Sequence, residues 1–173
     1  AYEMEEEFPM DECMKGNTKK YTPEDFKIRN VIGQGSYGKV FLVRKILQLK
    51  TETQEEVEGN RYAMKVLKKA ELRKRKQVEH TKSERRILEK INHPFVVGLH
   101  CAFQTEEKLY FVLDYCPGGE LFFYIQQFQS FPEKIARFYA SNILLGLEIL
   151  HKHNIVYRDL KPENVLIGKD GYA

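Results

Sequence analysis

Apolar residues fall into a regular pattern only from Phe26 onward. Residues 1 to about 22 show no apolar periodicity, and residues 1–25 are expected to be a flexible acidic tail opening on "AYEMEEEFPM". From "PEDFKI" the character changes: Phe26, Ile28 and Ile32 predict a first strand, Val40 to Arg44 a second, and Tyr62 to Leu67 a third. Between the last two lies "KILQLKTETQEEVEGN", polar and ending in Gly59-Asn60, which reads as a long surface hairpin connection. "HTKSERRILEKI" predicts a helix, and Phe95 to Leu99 and Leu109 to Leu113 are apolar enough for two further strands joined by a turn around "TEEK". "CPGGE" is a Pro-Gly-Gly break and the natural boundary between two lobes. Beyond it, "ELFFYIQQF" and "FPEKIARFYASNILLGLEILHKHN" are helical patterns, the second opened by Ser130, Pro132 and Glu133 at capping-box spacing. That second helix is apolar around most of its circumference and therefore expects partners on several sides. No internal repeat or low-complexity tract interrupts the chain.

Composition narrows the class. At 173 residues with 42% hydrophobic, the chain can bury a core, which excludes disorder throughout. A formal charge of +3 from 28 basic and 25 acidic residues argues against a dedicated nucleic-acid binder. The cluster "KKAELRKRK", seven Lys or Arg residues when counted from Lys65, reads as a solvated turn and short helix rather than a nuclear address or nucleic-acid patch. Cys13, Cys101 and Cys116 have no Cys-x-x-Cys or His spacing, so no disulfide framework or zinc site is expected. A reducing setting fits best, and Cys116 reads as a quiet, partly buried thiol. The acidic N-terminus is no signal peptide, and no run approaches the length of a transmembrane segment. A start at Ala rather than Met suggests a fragment.

Four stretches carry chemistry. In "GQGSYGKV", Gly33, Gly35 and Gly38 would let a hairpin lie close over phosphates with backbone N–H groups facing the anion. A strand, not a helix, follows, which disfavours a dinucleotide fold, while an ordinary Gly-rich hairpin stays open. In "YAMKV", Ala63 and Lys65 point to one face of a strand, Lys65 between apolar neighbours. Glu84 sits in the stripe Glu84, Ile87, Leu88, Ile91 of the next helix, and a carboxylate on an apolar face needs a partner, for which the strand lysine is the obvious choice. Finally "YRDLKPEN" places Asp159, Lys161 and Asn164 on one short loop: a carboxylate to orient a hydroxyl, an ammonium to neutralise a moving phosphoryl group, and an amide to hold magnesium.

Together, "GQGSYGKV", "YAMK", Glu84 and "YRDLKPEN" resemble the front part of a eukaryotic protein kinase, most closely the AGC group of serine/threonine kinases and its Akt, SGK and ribosomal S6 kinase members. The resemblance runs from about Phe26 to Ala173. It implies an α+β, two-lobed fold: a complete five-stranded N-lobe with helix C over 26–113, then a hinge and partial C-lobe over 114–173 holding only the first helices and the catalytic loop. It also implies ATP and magnesium as cofactors. Gly33, Gly35, Ser36 and Gly38 would cover the ATP phosphates, Lys65 would hold the α- and β-phosphates, and Glu84 would hold that lysine. Ile32, Val40, Ala63, Leu113 and Leu166 match positions that sandwich adenine, with Leu113 as gatekeeper, and Asp114 and Cys116 would offer backbone groups to its edge. Asp159 would accept or orient the substrate hydroxyl proton, Lys161 steady the γ-phosphate, and Asn164 bind the metal. Glu120, and less directly Glu163, match acidic positions that receive arginines N-terminal to the phosphorylated residue. Protein substrates with basic residues before the Ser or Thr, an upstream activating kinase acting through Arg158 and His80, and a cytoplasmic or nuclear location are implied, with no nucleic-acid partner.

Two departures stand out. Tyr157 replaces the usual His before Arg-Asp, which leaves the proposed chemistry intact. The Asp-Phe-Gly element, whose Asp is the principal metal ligand in such kinases, is expected roughly a dozen residues after the loop Asn, and only nine residues follow Asn164. A truncated kinase domain, inactive or nearly so by itself, is the expectation. The alternative is a non-catalytic regulatory or interaction fragment with residual nucleotide binding.

Overall fold

The computed structural model describes residues 20–35, 37–49 and 56–173. These fall into two compact units, the described part of Ala1–Glu89 with Leu99–Tyr115, and Lys90–Gly98 with Cys116–Ala173. The break comes at the start of "CPGGE", but the second unit also takes in Lys90–Gly98, a segment that the sequence pattern assigned to the first.

The first unit is a five-stranded antiparallel sheet of order β1-β2-β3-β5-β4, built from β1 (Phe26–Gly35), β2 (Gly38–Leu49), β3 (Glu56–Lys68), β4 (Leu99–Gln104) and β5 (Lys108–Asp114). Two expectations are corrected here. The polar stretch after Arg44 is not all connection: β2 continues to Leu49 and β3 starts at Glu56, with Gln48 opposite Val57 and Leu49 opposite Glu56. Main-chain pairing between neighbouring strands holds residues whose side chains, apolar at Ile46, Leu47, Leu49 and Val57 but without period-two alternation, do not read as strand. The fourth strand begins at Leu99 rather than ending there, because Cys101, Ala102 and Phe103 pair with Val112, Phe111 and Tyr110, while 95–98 form an irregular turn.

Period-two alternation sorts the sheet into two cores. On one face Leu67, Leu99, Ala102, Leu109 and Phe111 pack with Leu72 of α1 (Lys69–Lys74) and Leu88 of α2 (Val78–Lys90). On the other lie Phe26, Val43, Met64, Cys101, Phe103, Tyr110 and Val112, with Phe26 stacked on Phe103 and Phe103 on Tyr110. Tyr21 belongs to this second core. The expected tail lies outside the described residues as far as residue 19, but from Tyr21 the chain is packed: Tyr21 is buried, its hydroxyl accepts a hydrogen bond from Lys45 Nζ at 2.8 Å, and its ring lies against Phe26 and His100. The following turn, Pro23–Asp25, is closed by Asp25 Oδ2 accepting the Thr22 N–H at 2.9 Å.

The basic cluster is the short helix the pattern predicts, with one difference: Lys69 is buried rather than solvated, its N–H bonded to the Glu107 carbonyl in the β4–β5 turn.

In the second unit α3 (Leu121–Phe128) and the short strands β6 (Gly119–Glu120) and β7 (Leu166–Ile167) surround Leu121, Val165 and Ile167, against which Phe131, Tyr139 and Ile143 pack. The long helix α4 (Glu133–Lys152) buries the stripe Asn142, Gly146, Leu150. Gly146 has no room for a side chain, since a Cβ would strike the Phe95 carbonyl. Ile135, Phe138, Leu144 and Leu145 of the same helix are exposed. The capping box expected from Ser130 and Glu133 does not form. Pro132 is the N-cap and no side chain caps it, so Ser130 lies too far out, and Glu133 pairs instead with Arg137 one turn on at 2.6 Å.

Candidate active site

The first unit supplies the glycine hairpin and the lysine. Glycines 33, 35 and 38 lie at the ends of β1 and β2, where Gly33 pairs with Val40 and Gly35 with Gly38. Gly38 is required by packing: a Cβ there would run into the Val66 carbonyl of β3, whereas at Gly35 it would meet nothing. Ser36 lies outside the described residues. In register, Val40 is opposite Lys65 and Lys65 opposite Phe111, while Ala63 is opposite Leu113. Val40, Ala63, Lys65 and Leu113 therefore share one face of the sheet. Ile32 falls at a register shift between Val31 and Gly33, and is exposed.

That same face meets α2. Lys65 Nζ donates to Glu84 Oε1 at 2.7 Å, the pair the helix stripe predicts. The side chains keep 29% and 42% exposure, so the pair is half-buried and lines an accessible surface rather than a sealed core. Asp114 ends β5 opposite Tyr62.

The second unit holds the loop. Asp159 Oδ2 accepts from Asn164 Nδ2 at 2.8 Å, and its Oδ1 lies 3.2 Å from Lys161 Nζ. Asn164 Nδ2 also donates to the Asp159 main-chain oxygen at 2.8 Å. Both amide protons are thus used inside the loop, and Oδ1 is the Asn164 atom left to face a cation. Lys161 first, then Asn164, holds the Asp159 carboxyl below its usual range, so it is ionised at neutral pH. The loop reverses at Arg158, whose φ of 62° is rare for a side-chain-bearing residue and whose neighbours close a tight turn, Asp159 N–H to Tyr157 O at 2.9 Å. A Pro-turn over Pro162–Asn164 then delivers Asn164 back to Asp159. His80 lies exposed on α2.

Below the loop, Leu166 of β7 pairs with Glu120 of β6, and Leu121 N–H bonds the Val165 carbonyl at 2.8 Å. Glu120 and Glu163 are both exposed, on elements that adjoin. The Cys116 carbonyl accepts the Gly119 N–H at 3.2 Å, and Gly119, with φ of 72°, takes the left-handed conformation this turn needs. Gly118 carries the Tyr124 hydroxyl bond at 2.8 Å and leaves no space for a Cβ beside Ile167.

Sequence reasoning missed two participants. Asn142, buried on α4, anchors the end of the described chain by accepting the Ala173 N–H at 3.0 Å. Tyr37, inside the glycine motif, packs with the first core and has the Arg75 guanidinium over its ring. Neither carries a local signal, because each contact joins elements distant in sequence.

Residues 26–173 match the family model described as "Protein kinase domain". The chain is 49% identical over 155 residues to the "RAC family serine/threonine-protein kinase homolog" of Dictyostelium discoideum, covering 90% of this chain and 33% of that relative. It is 49% identical to "Ribosomal protein S6 kinase alpha-1" of Mus musculus, over 92% of this chain and 21% of that one. To "Serine/threonine-protein kinase Sgk3" of Rattus norvegicus it is 51% identical, over 87% and 29%. The chain belongs to the protein kinase domain family, and these relatives are serine/threonine kinases of the branch its motifs resemble. It spans between 16% and 33% of the length of the first such curated relatives.

Proposed function

We propose that the protein transfers the γ-phosphoryl group of ATP to Ser or Thr hydroxyls of protein substrates, favouring sites preceded by basic residues. The observation that carries the reading is the Asp159 loop: a carboxylate kept ionised, with an ammonium and an amide held against it. An ionised carboxylate accepts a hydrogen bond from the incoming hydroxyl and orients its oxygen for in-line attack, taking the proton as the bond to phosphorus forms. The low pKa makes Asp159 a weak base in the ground state, so its main work is orientation. Lys161 neutralises charge on the transferred group, and Lys65, aimed by Glu84, holds the phosphates that stay behind. Gly33, Gly35, Ser36 and Gly38 cover those phosphates. Of the base-packing positions that the family resemblance assigns, Ile32, Val40, Ala63 and Leu113 belong to the first unit, with Asp114 backbone for the base edge, and Leu166 and the Cys116 backbone to the second.

The donor set fits magnesium in part. Asn164 Oδ1 and the Asp159 carboxylate are hard oxygen ligands, but among the described residues no group of three or more His, Cys, Asp or Glu side chains could hold an ion. Magnesium is commonly bound by one or two protein groups plus phosphate oxygens and water. When bound, it would neutralise charge on the phosphates, with Asn164 as this chain's contribution.

Glu120 and Glu163 on adjoining elements supply two carboxylates for guanidinium groups, which they can pair bidentately. Arg158 and His80 are read as ligands for an activating phosphate added by an upstream kinase. Three cysteines without pairing spacing support a cytoplasmic or nuclear setting, and no helix among the described residues is long and apolar enough to cross a membrane. The test, in a chain extended through the complete catalytic domain, is phosphorylation of a Ser peptide with arginines before the acceptor, beside an Ala-substituted peptide. Glu120→Ala is expected to raise KM for the Arg peptide more than for the other, and equal losses on both would refute the basic preference. Phosphorylation that persists in Asp159→Asn would refute the catalytic assignment.

A further inference from the structure

We infer that Arg75 is a positioning residue for the glycine hairpin: it braces Tyr37, at the hairpin tip, against α1 and so keeps the loop ready for nucleotide. The inference rests on the proposed role of the hairpin as a phosphate cover. The β1–β2 ladder ends at the Gly35–Gly38 pair, so Tyr37 lies beyond the last strand pairing. Three glycines within six residues make this tip costly to order, and fixing a loop at the moment of binding weakens affinity. The structure holds it by three contacts outside the ladder. The Tyr37 carbonyl accepts the Lys68 N–H at 3.1 Å, and its ring packs against the core containing Leu67 and Leu72. The Arg75 guanidinium carbon lies 5.4 Å from the ring centroid, within cation–π range.

Arg75 is itself held. It caps the C-terminal end of α1 with its N–H on the Glu71 carbonyl at 3.1 Å, and its Nε lies 3.7 Å from Glu71 Oε2, one turn back. The guanidinium therefore needs little further ordering to sit over the ring, and α1, fixed by buried Leu72 and Lys69, becomes the post to which the hairpin tip is tied. This gives the basic cluster a use that its charge pattern does not reveal.

The test combines backbone hydrogen exchange of the nucleotide-free protein with equilibrium binding of a fluorescent ATP analogue, for Arg75→Ala, Tyr37→Leu, the double variant, and the conservative Arg75→Lys and Tyr37→Phe. Each disruptive single variant is expected to speed exchange at Gly35, Tyr37 and Gly38, and to weaken analogue binding by about two- to fivefold, the worth of one cation–π contact. Exchange at Phe111 and Val112 in the core should be unchanged. The double variant should lose no more than Tyr37→Leu alone, and the conservative variants should stay near wild type. Unchanged hairpin exchange, or losses that add in the double variant, would overturn the brace and point to a separate role for Arg75. Faster hairpin exchange with undiminished binding would instead overturn the phosphate-cover reading, and the inference with it.

Discussion

Lys65 Nζ and Glu84 Oε1 stand 2.7 Å apart, joining the central strand of the first unit to the helix that crosses its face. Neither side chain is sealed from water, so the contact contributes little to stability, on the order of 1 kcal/mol or less after solvent screening. Its value lies in direction: the carboxylate fixes where the ammonium points.

In a chain extended through the complete catalytic domain, Lys65→Met is therefore expected to abolish phosphotransfer, by a hundredfold or more at roughly the scale of losing one preorganised electrostatic contact, while thermal unfolding stays near wild type. Glu84→Gln should weaken activity in the same direction with the fold retained. Normal turnover by Lys65→Met in a steady-state assay would remove Lys65 from the site.

Asp159 predicts a pH dependence with a definite sign. Its folded pKa is depressed, by Lys161 first and Asn164 second, so the ionised form persists through neutral pH and is lost only as pH falls through that lowered value. Activity limited by this group should show its acid limb below the ordinary carboxylate pKa of about 4. Lys161→Ala should move the Asp159 midpoint upward, and an NMR titration of the carboxyl carbon in the two proteins reads this without any assay.

His100 carries the opposite kind of group into the first unit. Its ring stacks on Tyr62 at 4.6 Å, tilts against Tyr21, and its buried Nε2 makes no hydrogen bond among the described residues. Burial first, then Lys45, lowers its pKa, with Asp114 opposing. The folded state therefore takes up a proton less readily than the unfolded chain, and stability present above the unfolded value of about 6.5 falls as pH drops through the folded one. Melting temperature should decline from pH 7.5 toward 5.5 by a smaller amount in His100→Phe, and identical slopes in calorimetry would count against this account.

Gly38→Ala should destabilise the protein by about 1–3 kcal/mol, the usual cost of overpacking, since the new Cβ meets the Val66 carbonyl and strand backbone cannot step aside. Gly35→Ala meets open space and should cost less than about 1 kcal/mol in folding stability. Urea denaturation of the two variants distinguishes them, and equal midpoints would show that the hairpin yields at both positions.

The sequence by itself determined what depends on neighbours along the chain. Period-two alternation placed Ala63 and Lys65 on one strand face, the stripe through Glu84 and Leu88 placed a carboxylate against it, and the offsets of Asp159, Lys161 and Asn164 lie within one short loop that its own hydrogen bonds close. Tertiary structure decided whatever a distant partner supplies. Strand β2 runs on through residues 45–49 and β3 starts already at Glu56, stretches with no period-two alternation, because each pairs with the other's backbone, which no side-chain pattern reports. β4 begins at Leu99 because its register follows β5, and Tyr21 leaves the expected tail because the sheet offers it Lys45, Phe26 and His100. Arg75 and Tyr37 lie 38 positions apart, and only the packing of α1 beside the hairpin turns a solvated-looking arginine into a contact.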